Sequence, residues 1–126
     1  MAAPNIVNIT TLTGKTTYVN LTTTGSTSIL SNASGSGRVY KINSLFVSNT
    51  DTSNAISITA NYYDSSSISV ATTSGSLAGA ITVPGKCNLM ILDKCSALYL
   101  EENKAIGAIA GTAAKLTVIC SYEDIG

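Results

Sequence analysis

The chain of 126 residues contains no histidine and no tryptophan, and only 11% of its residues are charged. Without histidine, the Ser-His and Cys-His pairs that usually activate a nucleophile cannot be built. The commonest metal ligand is missing for the same reason. The formal net charge is zero, so no electrostatic field attracts phosphate backbones. We therefore expect no enzyme, no catalytic residue, no metal site, no cofactor and no binding of nucleic acid.

Long apolar runs are also missing. The longest aliphatic run covers residues 89–92, far short of the ~20 residues that a membrane-spanning helix needs. The N-terminus has neither the basic region nor the apolar stretch of a secretory signal. These features predict a protein that is made in the cytosol, has no membrane partner, and leaves the cell only as part of something larger.

The cysteines are few and their number is odd. Cys87, Cys95 and Cys120 allow at most one disulfide within the chain, and no two of them have the C-x-x-C spacing of a zinc site. Cys87 and Cys120 lie in alternating apolar patterns, where free cysteine acts as a small apolar residue. We expect three buried thiols in a reducing compartment.

Hydroxyl residues and period-two patterns take the place of charge. The chain has 17 Ser and 17 Thr; Thr favours strands, and Ser favours turns and exposed strand faces. The clearest pattern is in residues 38–63, which read as two long strands around the turn-forming residues 49–54. Strict alternation in the first strand puts Tyr40, Ile42 and Phe46 on one face and Val39, Leu45 and Val47 on the other. This segment predicts a β-hairpin or the corner of a sandwich.

Short strands broken by turn signals continue along the chain, and no segment has the 3.6-residue period of a helix over two turns. The last of these strands covers residues 115–123, and its inward residues are predicted to be Leu116, Val118, Cys120 and Tyr122. Shorter strands are predicted at residues 68–71 and 77–83. The fold class predicted is all-β: an antiparallel β-sandwich, jelly-roll-like, with about 8–10 short strands. Residues 25–126 form the sandwich, and residues 1–24 supply Thr-rich strands.

The Thr-rich N-terminal segment is a candidate arm. Its two predicted strands, residues 5–13 and 16–22, are weakly amphipathic and pair readily with any free sheet edge. Exchange into a neighbouring subunit and an ordinary edge strand in its own domain are both open. Candidate interface residues are Ile6, Val7 and Ile9 in this segment, and Tyr18 and Tyr63, because tyrosine is favoured at interfaces. Tyr62 and Tyr63 are adjacent, so one must face outward, where it suits an interface or stacking on a sugar ring.

Four segments carry a resemblance to a known group of proteins. They are GSGRVYKINSLFVSN (residues 35–49), VPGKCNLMILDK (83–94), ALYLEEN (97–103) and LTVICSYEDI (116–125). Together they resemble small virion structural proteins of tailed bacteriophages, notably those of cyanobacteria, from about residue 34 to residue 125. The turn Asn103-Lys104 departs from the family pattern, which has glycine and an acidic residue there. The resemblance implies a β-sandwich built into a particle in many copies.

The function predicted is that of a non-enzymatic virion structural protein, assembled in the host cytoplasm. The leading form is a capsid decoration or cement protein that stabilises the shell as a symmetric oligomer, such as a homotrimer. Its partners would be further copies of itself and the major capsid protein. The alternatives are a neck, tail or baseplate component, and a carbohydrate-binding module for host adhesion.

Overall fold

Alternating apolar and hydroxyl residues form nine β-strands in the computed structural model, which describes residues 7–126. A short 3₁₀ helix covers Lys94–Ser96. The strands are β1 (Leu12–Leu21), β2 (Thr27–Asn32), β3 (Val39–Asn49), β4 (Ile56–Tyr63), β5 (Ser74–Val83), β6 (Asn88–Leu92), β7 (Leu98–Leu100), β8 (Lys104–Ala110) and β9 (Leu116–Ile125). The prediction of an all-β antiparallel sandwich is confirmed.

Two antiparallel sheets make up the sandwich. The first sheet has the order β1-β9-β3-β6, and the second has the order β2-β8-β4-β5. Strand β7 also pairs with β3: β6 lies beside the second half of β3 and β7 beside the first half. The strands β6 and β7 therefore form one edge of the first sheet, interrupted by the short helix.

The core lies between the sheets and is built from every second residue of each strand, as a half-buried strand requires. In β9, Leu116, Val118 and Cys120 are fully buried, as predicted, while Tyr122 is half-buried near the end of the sandwich. The largest other fully buried apolar residues are Leu21, Ile42, Leu45, Val47, Ile58, Val83, Leu100 and Ile106.

Residues 38–63 form a corner of the sandwich and not a hairpin, because β3 belongs to the first sheet and β4 to the second. The buried Asn49 stabilises this corner. Its Nδ2 donates to the carbonyl oxygens of Asn54 and Val83, both at 2.9 Å. The Asp51 carboxylate accepts from the backbone N–H groups of Ser53 and Asn54, so side chains replace the ladder bonds that the corner lacks.

The predicted faces of β3 are wrong because the strand contains a bulge. The pairing of β3 with β9 shifts between Ile42 and Ser44, so Asn43 is an extra residue. One extra residue exchanges the faces of all that follow. Ile42, Leu45 and Val47 therefore all point into the core, and Phe46 lies on the outer face.

The N-terminal segment forms one strand where two were predicted. β1 passes without interruption through Gly14-Lys15, and its ten residues pair in unbroken register with β9 of the same chain. Lys15 does not end the strand, because its ammonium group is held by Asp124 at 2.8 Å. Residues 7–11 precede the strand, and the start of the first predicted strand lies outside the described residues.

The strand predicted at residues 68–71 is wrong; residues 64–73 form a turn-rich loop. Asp64 closes this loop by accepting four hydrogen bonds, from the backbone N–H and the hydroxyl groups of Thr72 and Thr73. The hydroxyl donors lead in lowering the pKa of Asp64 to about 2. This loop precedes β5, which starts at Ser74.

The prediction of three buried thiols holds for Cys120 alone. Cys87 and Cys95 are exposed, because they lie just before β6 and within the short helix, at the edge of the first sheet. All three are free. Burial raises the pKa of the Cys120 thiol to about 12, so it stays protonated and unreactive at neutral pH.

Candidate interaction surface

The predicted interface residues lie on different parts of the molecule. Tyr18 is 69% exposed on β1, and Tyr63 lies on the opposite face of the sandwich, in β4. Val7 is exposed and Ile9 half-buried, in the segment before β1. Ile6 lies outside the described residues. The structure therefore does not bring the predicted residues within the described range together.

Four apolar side chains form a continuous row across the outer face of the first sheet. Ile119 in β9 lies opposite both Tyr18 in β1 and Phe46 in β3, and Phe46 lies opposite Met90 in β6. Neighbouring strands are about 4.8 Å apart, so the row crosses roughly 14 Å of sheet. Tyr18 and Met90 are more than half exposed, and Phe46 and Ile119 are half-buried between them. We call these four residues the outer row.

Uncharged polar side chains flank the outer row on both sides. They are Asn20, Thr117, Ser48 and Asn88 on one side, and Thr16, Ser121 and Ser44 on the other. Farther along this face, Lys41 and Glu123 form an ion pair with 4.0 Å between Nζ and Oε2. An apolar centre with a polar, uncharged rim is the usual composition of a protein interface.

Tyr62 and Tyr63 face opposite ways, as predicted, but neither ring is freely exposed. Tyr62 packs between the sheets, and its hydroxyl donates to the Tyr99 carbonyl oxygen at 3.2 Å and accepts from the Glu101 N–H at 3.4 Å. Tyr63 lies on the outer face of the second sheet, over Gly107. A Cβ on Gly107 would be 2.8 Å from Tyr63 Cε2, so the ring occupies the space that the glycine leaves.

An ion-pair cluster fixes β1 to the rest of the first sheet. The buried Asp124 of β9 accepts from Lys15 Nζ on β1 and from Arg38 Nε just before β3. Burial pushes the pKa of Asp124 upward, but the hydrogen bonds from both cations and their positive charges outweigh burial and lower it. The same hydrogen bond to Asp124 raises the pKa of Lys15. Asp124 is therefore ionised at neutral pH, and β1 is held through its only charged residue.

A metal-binding cluster and a membrane-spanning helix are both missing from residues 7–126. No three His, Cys, Asp or Glu side chains in this range come together as metal ligands would. Across the same described range, no helix is long and apolar enough to cross a membrane.

Comparisons with known proteins give a likeness of structure and not of sequence. No protein family and no curated protein sequence matches the chain. Among solved structures, the chain is similar to the acid-stable capsid of Helicobacter pylori bacteriophage KHP30, with a TM-score of 0.52 at 7% identity. That likeness covers 94% of this chain and 90% of the other. The chain therefore has a fold that is found in a phage capsid.

Two further solved structures have lower TM-scores. A capsid chain of cyanophage Pam1 has 17% identity and a TM-score of 0.37, over 99% of this chain and 91% of the other. A disulfide-linked pilus of Bacillus endospore appendages has 11% identity and a TM-score of 0.48, over 91% and 88%.

Sequence reasoning found one member of the outer row, Tyr18, and missed the other three. Phe46 was assigned together with Tyr40 and Ile42, which point inward, because the bulge at Asn43 leaves no mark in the sequence. Met90 and Ile119 occupy the outward positions of strands whose other face is apolar too. The available signal for the three missed residues was an apolar side chain at an outward position of β3, β6 or β9.

Proposed function

We propose that this protein is a structural component of a phage virion, most specifically a capsid decoration or cement protein that binds the shell through the outer row. The observation that carries the proposal is an uncovered apolar row, with Tyr18 and Met90 at its ends, on a rigid and neutral sheet face. Such a surface suits burial against another protein, because neither side must give up a hydrated charge.

The strand order supports the same proposal. With β7 set aside, the orders β1-β9-β3-β6 and β2-β8-β4-β5 are those of two facing four-stranded sheets of a jelly roll, an arrangement found in viral capsid domains. A fold alone does not assign a function. The outer row provides the site, and the likeness to the phage capsid structure provides the setting.

The energetics fit a role that depends on repetition. Full burial of a large apolar side chain contributes about 1.5–3 kcal/mol, and an interface of four such residues is modest after the cost of association. Many copies on one particle, each in contact with the major capsid protein and with its neighbours, multiply this effect. We infer that the protein acts as a symmetric oligomer on the virion.

The alternative of sugar binding receives less support from the two tyrosines that were its candidate platform. The hydroxyl of Tyr62 is bonded to the backbone of β7 and of Glu101, and the ring of Tyr63 covers Gly107. Both rings are half-buried, which leaves less surface for stacking on a sugar than exposed rings would offer. A component of the neck, tail or baseplate would use the same kind of interface. Only its location on the particle distinguishes it from a decoration protein.

The test is binding of the purified protein to particles that lack it, followed by co-sedimentation. We expect Met90→Lys and Tyr18→Ser to weaken binding at least tenfold, because each removes apolar burial and the lysine adds a charge to the contact. Val70→Lys is the matched control: Val70 is as exposed as Tyr18 but lies in the loop of residues 64–73. Equal loss in all three variants, or in none, contradicts the role of the outer row.

A further inference from the structure

The four edge positions of the two sheets differ in how well they are protected against strand addition. Exposed edges pair with other strands unless they are short, bulged or covered. β2 has six residues and a bulge, and β5 has two register shifts. The β6–β7 edge is broken by the short helix, and the Tyr62 hydroxyl occupies the outward groups of Tyr99 and Glu101. Within residues 7–126, β1 has none of these protections.

β1 offers a long and regular edge. Its ten residues pair in continuous register with β9, and no strand in residues 7–126 pairs with its other side. Thr11 and Gly126 exchange both backbone hydrogen bonds, with N···O distances of 2.8 and 3.0 Å. Bonded pairs recur at every second residue of an antiparallel ladder. The N–H and C=O groups that point away from β9 therefore belong to Leu12, Gly14, Thr16, Tyr18 and Asn20.

Charge does not prevent this edge from meeting a copy of itself. The five residues whose backbone groups point away from β9 are uncharged, and all of them are exposed. The single charged residue of β1 is Lys15, and its ammonium group points to the other face, against Asp124. A lysine directed outward at an edge is a common block to strand addition. Here the ammonium charge is already paired with Asp124, so strand addition would not leave it without a counter-charge.

The five outward residues are also complementary to themselves. If a second β1 runs antiparallel to the first around a twofold axis at Thr16, then Thr16 faces Thr16, Leu12 faces Asn20, and Gly14 faces Tyr18. Every outward N–H and C=O group of the five residues is then opposite another. This register is the one that pairs all five.

Gly14 and Tyr18 give that register a specific fit. The space above Gly14 is open, since a Cβ placed there would meet no atom within 4 Å. The Tyr18 ring is exposed on the same face. An aromatic side chain that covers a glycine on the neighbouring strand is a known stabilising pair in sheets, and Tyr63 covers Gly107 in this way within the second sheet.

We propose that two copies of this protein pair β1 to β1, antiparallel around a twofold axis at Thr16, and so join their first sheets into one. Tyr18 of each copy covers Gly14 of the partner subunit, twice per interface. The two outer rows then lie on one continuous face. This inference goes beyond the virion role and stands on the sheet edge alone, whether or not the outer row binds a shell.

Charge pairing at position 16 tests the proposal, because the twofold axis puts this residue opposite its own copy. Like charges directly opposite are unfavourable, and opposite charges are favourable. We expect the wild-type protein to sediment at twice 12.9 kDa, and Thr16→Lys and Thr16→Glu each to sediment as monomers. An equimolar mixture of the two variants should restore the dimer. Thr16→Val is the control and should dimerise like the wild type.

Circular dichroism of each variant shows that the sandwich is folded before its mass is measured. Thr16→Pro is a second variant, because the N–H that proline lacks points away from β9, so the monomer keeps its ladder while strand addition is blocked. A wild-type protein that sediments as a monomer at every concentration overturns the proposal. A mixture of the lysine and glutamate variants that stays monomeric overturns the register at Thr16. Particle binding is scored separately, so the virion role and the dimer fail independently.

Discussion

The hydroxyl of Tyr62, on the second sheet, donates a hydrogen bond across the sandwich to the carbonyl oxygen of Tyr99 on the first sheet, at 3.2 Å. The same hydroxyl accepts from the N–H of Glu101 at 3.4 Å. One side chain thus occupies the Tyr99 carbonyl oxygen and the Glu101 N–H, two backbone groups in and just after β7 that would otherwise be open to another strand. The contact links the two sheets and closes one end of an edge.

Replacing Tyr62 with phenylalanine tests this contact. Tyr62→Phe keeps the ring but leaves the Tyr99 carbonyl and the Glu101 N–H without their partner, so the free energy of unfolding should fall by about 1 kcal/mol. Urea denaturation measures the change, and hydrogen exchange at Glu101 should become faster. Tyr63→Phe is the control, because the Tyr63 hydroxyl has only a 3.4 Å contact with Asn61 Nδ2. Equal effects in the two variants contradict the linking role.

Acid should weaken the fold through Asp124. The pKa of this carboxyl is lowered in the folded protein, so its stabilising effect is fully present above the unfolded value of 3.8 and is lost as the pH falls through the lower folded value. Asp124→Asn should cost about 1.5–3 kcal/mol at neutral pH and make stability below pH 3.8 depend less on pH. Glu123→Gln, on the exposed pair with Lys41, should cost under about 1 kcal/mol. Denaturant titrations at several pH values measure both.

The space over Gly107 predicts a strong effect of a single methyl group. Gly107→Ala places a Cβ 2.8 Å from Tyr63 Cε2 and 3.1 Å from the Thr27 carbonyl oxygen, so the free energy of unfolding should fall by about 1–3 kcal/mol. Gly75→Ala is the matched control in the same sheet, since no atom lies within 4 Å of its added Cβ. Thermal denaturation compares them. A smaller loss for Gly107→Ala than for the control contradicts the packing of Tyr63.

The thiols should react in two classes. Cys87 and Cys95 are exposed and should be alkylated by a maleimide in the folded protein, while Cys120 is buried with its pKa raised to about 12. Mass spectrometry should find two labels on the native chain and a third only after denaturation. Rapid labelling of Cys120 in the native state would show that the core opens readily.

Much of the sandwich was predictable because its strands alternate with a period of two. Leu116, Val118 and Cys120 were assigned to the core correctly, since burial of one face is what the alternation records. The place of Phe46 in the outer row was not predictable, because the bulge at Asn43 exchanges the faces of β3 with no sequence signal. Cys87 was misplaced for a related reason: apolar alternation in a short edge strand does not show where the strand begins.

Pairings across the fold were beyond the sequence as well. The long β1 required knowledge that Lys15 meets Asp124, 109 residues later in the chain. Without that contact, Gly14-Lys15 is a reasonable turn. The sequence therefore predicted most of the strands, and the structure was needed to show which strand edges and which faces are left open.

Immunogold electron microscopy of intact virions, with antibody against the purified protein, tests the central proposal most directly. For a decoration protein we expect label spread evenly over the head, and loss of that label from virions assembled with the Met90→Lys variant. Label confined to the neck, tail or fibres would contradict the decoration role and favour a tail component. Absence of label from intact and from opened virions would contradict a virion role altogether.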